Sequence, residues 1–472
     1  MEAASVATST IKANNFHKSP TFLTSSKHLI KHNSCTFSPP NSNPRNSSSL
    51  SLTRCSTKPD TNIDNLGDQN STVDIDSTSK SPNPSKPTSK EALSSPLSSS
   101  QSSSSTSGLV FDLGVENSWD SAEIGSPVVK RFLSDEEERW YMWYYGRSSS
   151  KPGLDSIGLA VSSNGVHWER GNGPVQSSRD VGLVMNCGKD WWAFDTQSIR
   201  PSEVMIMSST KIRASSAVYW LYYTGYSSEI AEISENSEKI DIENPEILSL
   251  EGSGKVYKSL PGLAISQDGR YWARIEGEHH SGALFDVGSE KEWDSLFIAS
   301  PQVVFHGSGD LRIYYHSFDQ ENGHFGIGIA RSRDGMRWVK LGKIIGGGKS
   351  GAFDEMGVVN GCVVKSRKNG KYLMAYEGVG GNGERSIGLA MSEDGLKDWK
   401  RLPNGAVLMK SEEDGWDNRG VGSPCLVQME GEDDEWRLYY RGFGDGGRSG
   451  IGMAVSQGSD VTRFRRWTGF CL

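Results

Sequence analysis

One segment recurs five times along this chain, and each copy carries the same parts in the same order. A Trp-Asp or Phe-Asp pair leads (Trp119-Asp120, Phe194-Asp195, Trp293-Asp294, Phe353-Asp354, Trp416-Asp417), and a short strand follows, usually opened by Ser-Pro. Next comes an aromatic strand: YMWYYG, YWLYYTG, LRIYYHS, YLMAYEG and WRLYYRG. A Gly-rich strand follows (IGLAVS, PGLAIS, IGIARS, IGLAMS, IGMAVS), and then a turn of the type S-x-D-G-x-x-W. These turns close on Trp168, Trp272, Trp338 and Trp399, and a degenerate fifth copy ends at Trp467. Three or four short strands every ~60 residues predict the blades of a β-propeller. The expected fold is all-β and five-bladed, running from residue 108 to 472.

Ring closure is also foreshadowed. Residues 343–345 and 406–409 read as outer strands after the turn Trp, as do residues 283–286 after Trp272. After Trp467 only five residues remain, too few for such a strand. However, SGLVFDLGVENSWD (107–120) matches SGALFDVGSEKEWD (281–294). Residues 109–112 are therefore expected to supply the outer strand of the last blade, pairing both open edges.

The N-terminal extension differs in kind. Residues 1–58 hold seven Lys or Arg and a single acid, Glu2, amid many Ser, Thr and Asn. No apolar run there suits a secretory signal or a membrane span. Basic, hydroxyl-rich and acid-poor composition predicts a transit peptide over residues 1–55, with processing near Cys55 and the chloroplast stroma as destination; a cytosolic tail is the alternative. Residues 56–107, rich in Ser and Pro, bury too little apolar surface to offset chain entropy and read as a disordered linker. A second interruption, the insert 229–254, carries eight acids against Lys239 and reads as a solvated loop.

Charge narrows the partners. The chain has a net charge of −8, and without residues 1–58 it has 43 basic against 57 acidic residues, a net of −14. Such a domain repels nucleic acid and anionic membranes. No phosphate-binding loop or dinucleotide fingerprint sits on a strand-to-helix turn. None of the six cysteines forms a CxxC pair, so no zinc site and no cofactor are expected. Cys362 and Cys425 fall at matching positions of adjacent inner strands and read as buried small hydrophobes.

Residues present in every copy serve geometry. Asp-Gly and Asn-Gly favour tight hairpins, and the Asp of each Trp-Asp pair reads first as a turn or strand cap. Chemistry near a pseudo-symmetric axis needs positions at which the copies differ. One such row precedes the inner-strand Pro (Gly in the fourth copy): Ser126, Arg200, Ser300, Asn360 and Ser423. A second row follows the aromatic strand: Gly146, Thr224, His316, Glu377 and Arg441. Converging on a central pocket, these groups suit a sugar or a carboxylated ligand. An internal salt-bridge cluster filling the axis is the alternative.

Five blades, x-P-x-V strand openings and S-x-D-G-x-x-W turns together resemble the arabinanase, levansucrase and invertase superfamily, which includes glycoside hydrolase families 43 and 32. The resemblance implies two carboxylates flanking a glycosidic bond. The positions where family 43 carries its acids hold Ser126, Ser202 and Ala299 instead. The candidate catalytic residues are therefore displaced carboxylates, Glu377, Asp195 and Glu123. Arg200, His316, Arg441 and Glu203 are the candidate substrate-binding groups. The expected function is binding or hydrolysis of a carbohydrate or small molecule in the plastid. The alternative is a catalytically inactive propeller that serves as a scaffold for a protein partner.

Overall fold

A computed structural model describes residues 11–12, 106–133, 138–150, 153–171, 177, 179–207, 218–232, 249–250, 255–307, 309–429 and 435–469. The expected transit peptide and linker lie outside these residues, except for 11–12 and 106–107. Of the acidic insert only 229–232 and 249–250 are described. There the second-unit strand Val218–Glu232 runs on into the insert, and Ser249–Leu250 pairs with Val256 and Lys255.

The described elements are all strands, apart from a 3-10 turn at Asp445–Gly447. They form five consecutive units, each with an inner, a second and a third strand paired antiparallel. The first unit comprises Glu123–Leu133, Glu138–Arg147 and Asp155–Ser162. The second comprises Ser198–Met207, Val218–Glu232 and Lys255–Ser266. The third comprises Ala299–Gly307, Asp310–Asp319 and His324–Ser332. The fourth comprises Gly357–Lys365, Tyr372–Val379 and Arg385–Ser392. The fifth comprises Gly420–Gln428, Trp436–Phe443 and Ser449–Gln457. Each inner strand packs on the next, and the inner strand of the fifth unit packs on that of the first.

Two repeated devices explain the recurring residues. Within every unit, the Asp of the leading pair accepts a Tyr hydroxyl of the second strand at 2.8–3.1 Å: Asp120 from Tyr144, Asp195 from Tyr223, Asp294 from Tyr315, Asp354 from Tyr376 and Asp417 from Tyr440. The same carboxylates bind Arg170, Arg274, Lys340, Arg401 and Arg466 at 2.6–2.9 Å. All five are buried, so each charge is matched by a cation and a hydroxyl. The aromatic of the pair packs over the third strand. At Gly158 a Cβ would stand 2.3 Å from the Trp119 ring, which is why that strand carries glycine.

The second device joins units. An aromatic of one unit donates to the turn-glycine carbonyl of the next at 2.7–3.2 Å: Trp143 to Gly269, Tyr222 to Gly335, Tyr314 to Gly395, and Tyr439 of the fifth unit to Gly165 of the first. The turn Trp packs edge-on against the same ring, as in Trp168–Tyr439 and Trp399–Tyr314. At the junction of the fourth and fifth units the aromatic is replaced by Ala375, and among the described residues no such bond occurs.

The closing strand is present. Leu109–Phe111 pairs antiparallel with the near half of Ser449–Gln457, at Ile451 and Gly452. The strand Asp460–Arg466 covers the far half, at Ala454–Gln457. Residues 343–345 lie within the outer strand Trp338–Ile345. Two outer strands differ from expectation. In the second unit the strand is Ala273–Glu276, immediately after Trp272, and among the described residues 283–286 make one backbone bond to the third strand, from Leu284 N to Pro261 O. In the fourth unit Lys400–Arg401 pairs, with Leu408 making a single bridge to Ile387.

Candidate functional site

The five inner strands surround a cavity of about 790 Å³. A bulge at the start of four of them places Ser126, Ser300, Asn360 and Ser423 in the left-handed region, with φ of 43–51°. All four side chains line the cavity. Three of the bulge amides find an acceptor on the preceding unit. Ser300 N donates to Thr224 Oγ1 (2.8 Å), Asn360 N to His316 Nδ1 (3.3 Å), and Ser423 N to Glu377 Oε2 (2.9 Å). The second row of variable residues thus serves the bulges.

The register corrects each of the two variable rows in one place. Gly125 pairs with Tyr145, as Ala299 pairs with His316 and Val359 with Glu377, so Tyr145, not Gly146, is the first-unit member. In the second unit the irregularity falls after Pro201, which sets Arg200 opposite Thr224 and brings Glu203 opposite Tyr222. Glu203 therefore shares its level with Gln302, Cys362 and Cys425, the residues opposite Tyr314, Ala375 and Tyr439.

Within the cavity Glu203 pairs with Lys130 of the first inner strand and accepts a 2.8 Å bond from Gln302 Nε2. Burial alone would lower the Lys130 pKa, but Glu203 outweighs it and keeps the lysine raised and charged. Gln302 also receives Val363 N and donates to Val363 O, so its orientation is fixed. Among the described residues Glu203 is the single acid on the cavity wall.

The other six candidates are not on that wall. Glu377 is fully buried, and three donors converge on its carboxylate: Arg385 Nη1 at 2.6 Å, Asn360 Nδ2 at 2.8 Å and Ser423 N. Gly422 makes room for it, since a Cβ there would meet Glu377 Oε2 at 2.3 Å. His316 is buried and its pKa is pushed down to about 3 by desolvation, against the pull of Glu377. It is therefore neutral, and because Nδ1 accepts from Asn360, the proton sits on Nε2. That nitrogen has no hydrogen-bond partner among the described residues.

Arg441 and Glu123 belong to a second network. Glu123 binds Arg441, accepts Tyr145 OH at 2.7 Å, and pairs with Arg147 Nη1 at 2.5 Å. Arg147 bridges on to Asp155 (2.7 Å), which also holds Arg200 (2.7 Å). Arg200 and Arg441 both lie over the Tyr145 ring, at 4.3 and 5.5 Å. Burial works against the Asp155 charge, yet Arg200 and Arg147 hold its pKa below the usual carboxylate range. Asp195 stands apart, in the repeated Asp-Tyr-cation device with Tyr223 and Arg274.

Four residues of this region escaped the sequence reading: Lys130, Arg147, Asp155 and Arg385. The signal for two of them was available. The residues two before the third-strand Ile or Pro are Asp155, Ser259, Phe325, Arg385 and Ser449, a third row at which the copies differ.

No family model matches this chain. An uncharacterized protein of Mycobacterium tuberculosis is 30% identical over 209 residues, which cover 42% of this chain and 62% of that protein. A solved glycoside hydrolase superposes with a TM-score of 0.50 at 15% identity, over 77% of this chain and 96% of that one. A thermostable family-43 glycoside hydrolase gives a TM-score of 0.48 at 18% identity, over 70% and 89%. The fold is that of a glycoside-hydrolase-like propeller.

Proposed function

We propose that this chain is a five-bladed propeller that binds a carbohydrate in its axial cavity without hydrolysing it. The observation that carries this is the cavity wall itself. It presents Lys130, Glu203, Gln302, Ser300 and Asn360, donors and acceptors suited to sugar hydroxyls, and only one carboxylate among the described residues. Glycoside hydrolysis by two carboxylates needs a second acid across the bond. Glu377 and Glu123 are each engaged by arginine off that wall, and Asp195 belongs to a device repeated in all five units. The likeness of fold to a glycoside hydrolase supports carbohydrate as the ligand class. The cyclic packing of the inner strands supports the blade count. The composition of residues 1–58 supports import into the chloroplast stroma.

Titration calorimetry of the full chain against a panel of neutral mono- and disaccharides tests this. At least one sugar should bind, and Glu203→Gln should weaken it about tenfold, since a hydrogen bond to a charged group is worth about 1.5–3 kcal/mol. Turnover of aryl glycosides that Glu377→Gln abolishes would overturn the non-hydrolytic reading. The buried ion pairs also favour a second reading, an inactive scaffold for a protein partner, and the absence of any sugar binding would select it.

A further inference from the structure

The inner strands of the fourth and fifth units present Cys362 and Cys425 at the same level of the cavity wall. Each thiol accepts a backbone amide from the following unit: Cys362 Sγ from Leu426 N, the residue next to Cys425, and Cys425 Sγ from Val129 N, both at 3.4 Å. The Cys425 thiol beside it, together with burial, pushes the Cys362 pKa well up. Cys362, with Val129 N and the nearby Lys130 ammonium, in turn holds Cys425 below the ordinary thiol value against burial. Cys362 stands opposite Ala375, the residue that replaces the aromatic latch found at the other unit junctions. The dithiol therefore spans the one junction where, among the described residues, the aromatic-to-turn bond is missing.

We infer that Cys362 and Cys425 are an oxidisable dithiol, closed to a disulfide by exchange with a small disulfide that enters the axial cavity. Cys425 attacks as the thiolate and forms a mixed disulfide, expelling one thiolate of the reagent. Cys362 then loses its proton and attacks the Cys425 sulfur, expelling the second. Two protein thiols are oxidised by two electrons, and the small disulfide is reduced to two thiols, which take up the protons. The product ties the fourth inner strand to the fifth and takes the place of the absent latch. This inference does not depend on a carbohydrate ligand.

The test is incubation of the reduced full chain with cystamine, followed by alkylation and peptide mapping. Expected are peptides joined through Cys362 and Cys425, a higher melting temperature than that of the reduced chain, and Cys187 still open to alkylation. Cys187 is the internal control, because burial pushes its pKa up to about 12. Cys362→Ser should trap cysteamine on Cys425, whereas Cys425→Ser should slow modification of Cys362 about tenfold or more. A wild-type chain that stops at the mixed disulfide on Cys425 would show that the thiols cannot meet and would overturn the inference. So would modification of Cys187 at the same rate as Cys425.

Discussion

The outer part of each unit and the axial region are built from the same strands under opposite rules. Outside, one solution is repeated five times: a buried Asp, a Tyr hydroxyl and an Arg or Lys. At the axis the units diverge. One level of the inner strands holds Val128, Glu203, Gln302, Cys362 and Cys425, and the acceptors beside the bulges are Thr224, His316 and Glu377. Repetition marks what every unit needs in order to fold. Divergence marks what the assembled ring does once. Yet divergence alone does not identify a ligand site, because Glu377 differs from its counterparts and still serves the backbone of the next unit.

The largest test of the repeated region is its closure. Deleting residues 1–105 should leave cooperative unfolding intact. Deleting residues 1–116 removes Leu109–Phe111, the bonds between Gly108 and both Trp467 and Met453, and the Ser107 carbonyl that Trp416 Nε1 reaches at 2.9 Å. An exposed strand edge then remains, and loss of a cooperative thermal transition or aggregation is expected. Equal melting of the two truncations would mean that the ring does not depend on its N-terminal strand.

Next in size come the buried carboxylates, which also sharpen the contrast. Asp195→Ala leaves Arg274 uncompensated in the interior and should cost about 3–5 kcal/mol in denaturant unfolding. Glu377→Ala strands Arg385 and the Ser423 amide in the same way and should cost a similar amount. If Glu377 were instead a reacting group held in readiness, its removal would leave stability unchanged or raised. That single measurement separates a structural acceptor from a catalyst.

The repeated region was legible because its pattern is local. Trp-Asp, Tyr-Tyr and S-x-D-G-x-x-W fall at fixed spacings, and each does the same job wherever it occurs. The closing strand was legible for the same reason, as residues 107–120 copy residues 281–294. The axis was read less well, and the cause is register. The first aromatic strand carries three consecutive aromatics, Trp143, Tyr144 and Tyr145, which hides its phase, so the sequence pattern places Gly146 where Tyr145 belongs. The second inner strand has no left-handed bulge residue, which moves Arg200 one step along its strand. A slip of one residue turns a side chain to the other face. The partners of Arg200 and Glu377 come from the inner strands, third strands and second-strand ends of their own or neighbouring units. Only a folded chain brings Asp155 to Arg200.

A milder test uses acid. The folded pKa of His316 lies near 3, against 6.5 when unfolded, so the unfolded chain binds the extra proton. Its contribution to stability is complete above about pH 6.5 and is lost progressively as pH falls toward 3. Between pH 7 and pH 5 the loss from this one group is about 2 kcal/mol. His316→Gln keeps an acceptor for Asn360 N but cannot titrate, so unfolding free energies of that variant should fall less over this interval. Parallel curves for variant and wild type would mean that His316 is solvated or charged in the native state.

The smallest expected change in stability belongs to Glu203, and it bears most directly on function. Glu203 faces the cavity beside a Lys130 that is about a third exposed, so water can reach what the substitution uncovers. Glu203→Gln retains an acceptor for Gln302 and releases Lys130 toward solvent. Its cost in unfolding should be within about 1 kcal/mol, well below that of Glu377→Ala. Its effect on a bound sugar should run the other way, with Glu203→Gln weakening binding and Glu377→Gln leaving affinity nearly unchanged wherever the fold survives. The two positions thus form a crossed pair, one costly in stability and silent in binding, the other the reverse. If both losses track together, the cavity and the buried networks act as one unit, and the division between folding residues and ligand residues at the axis does not hold.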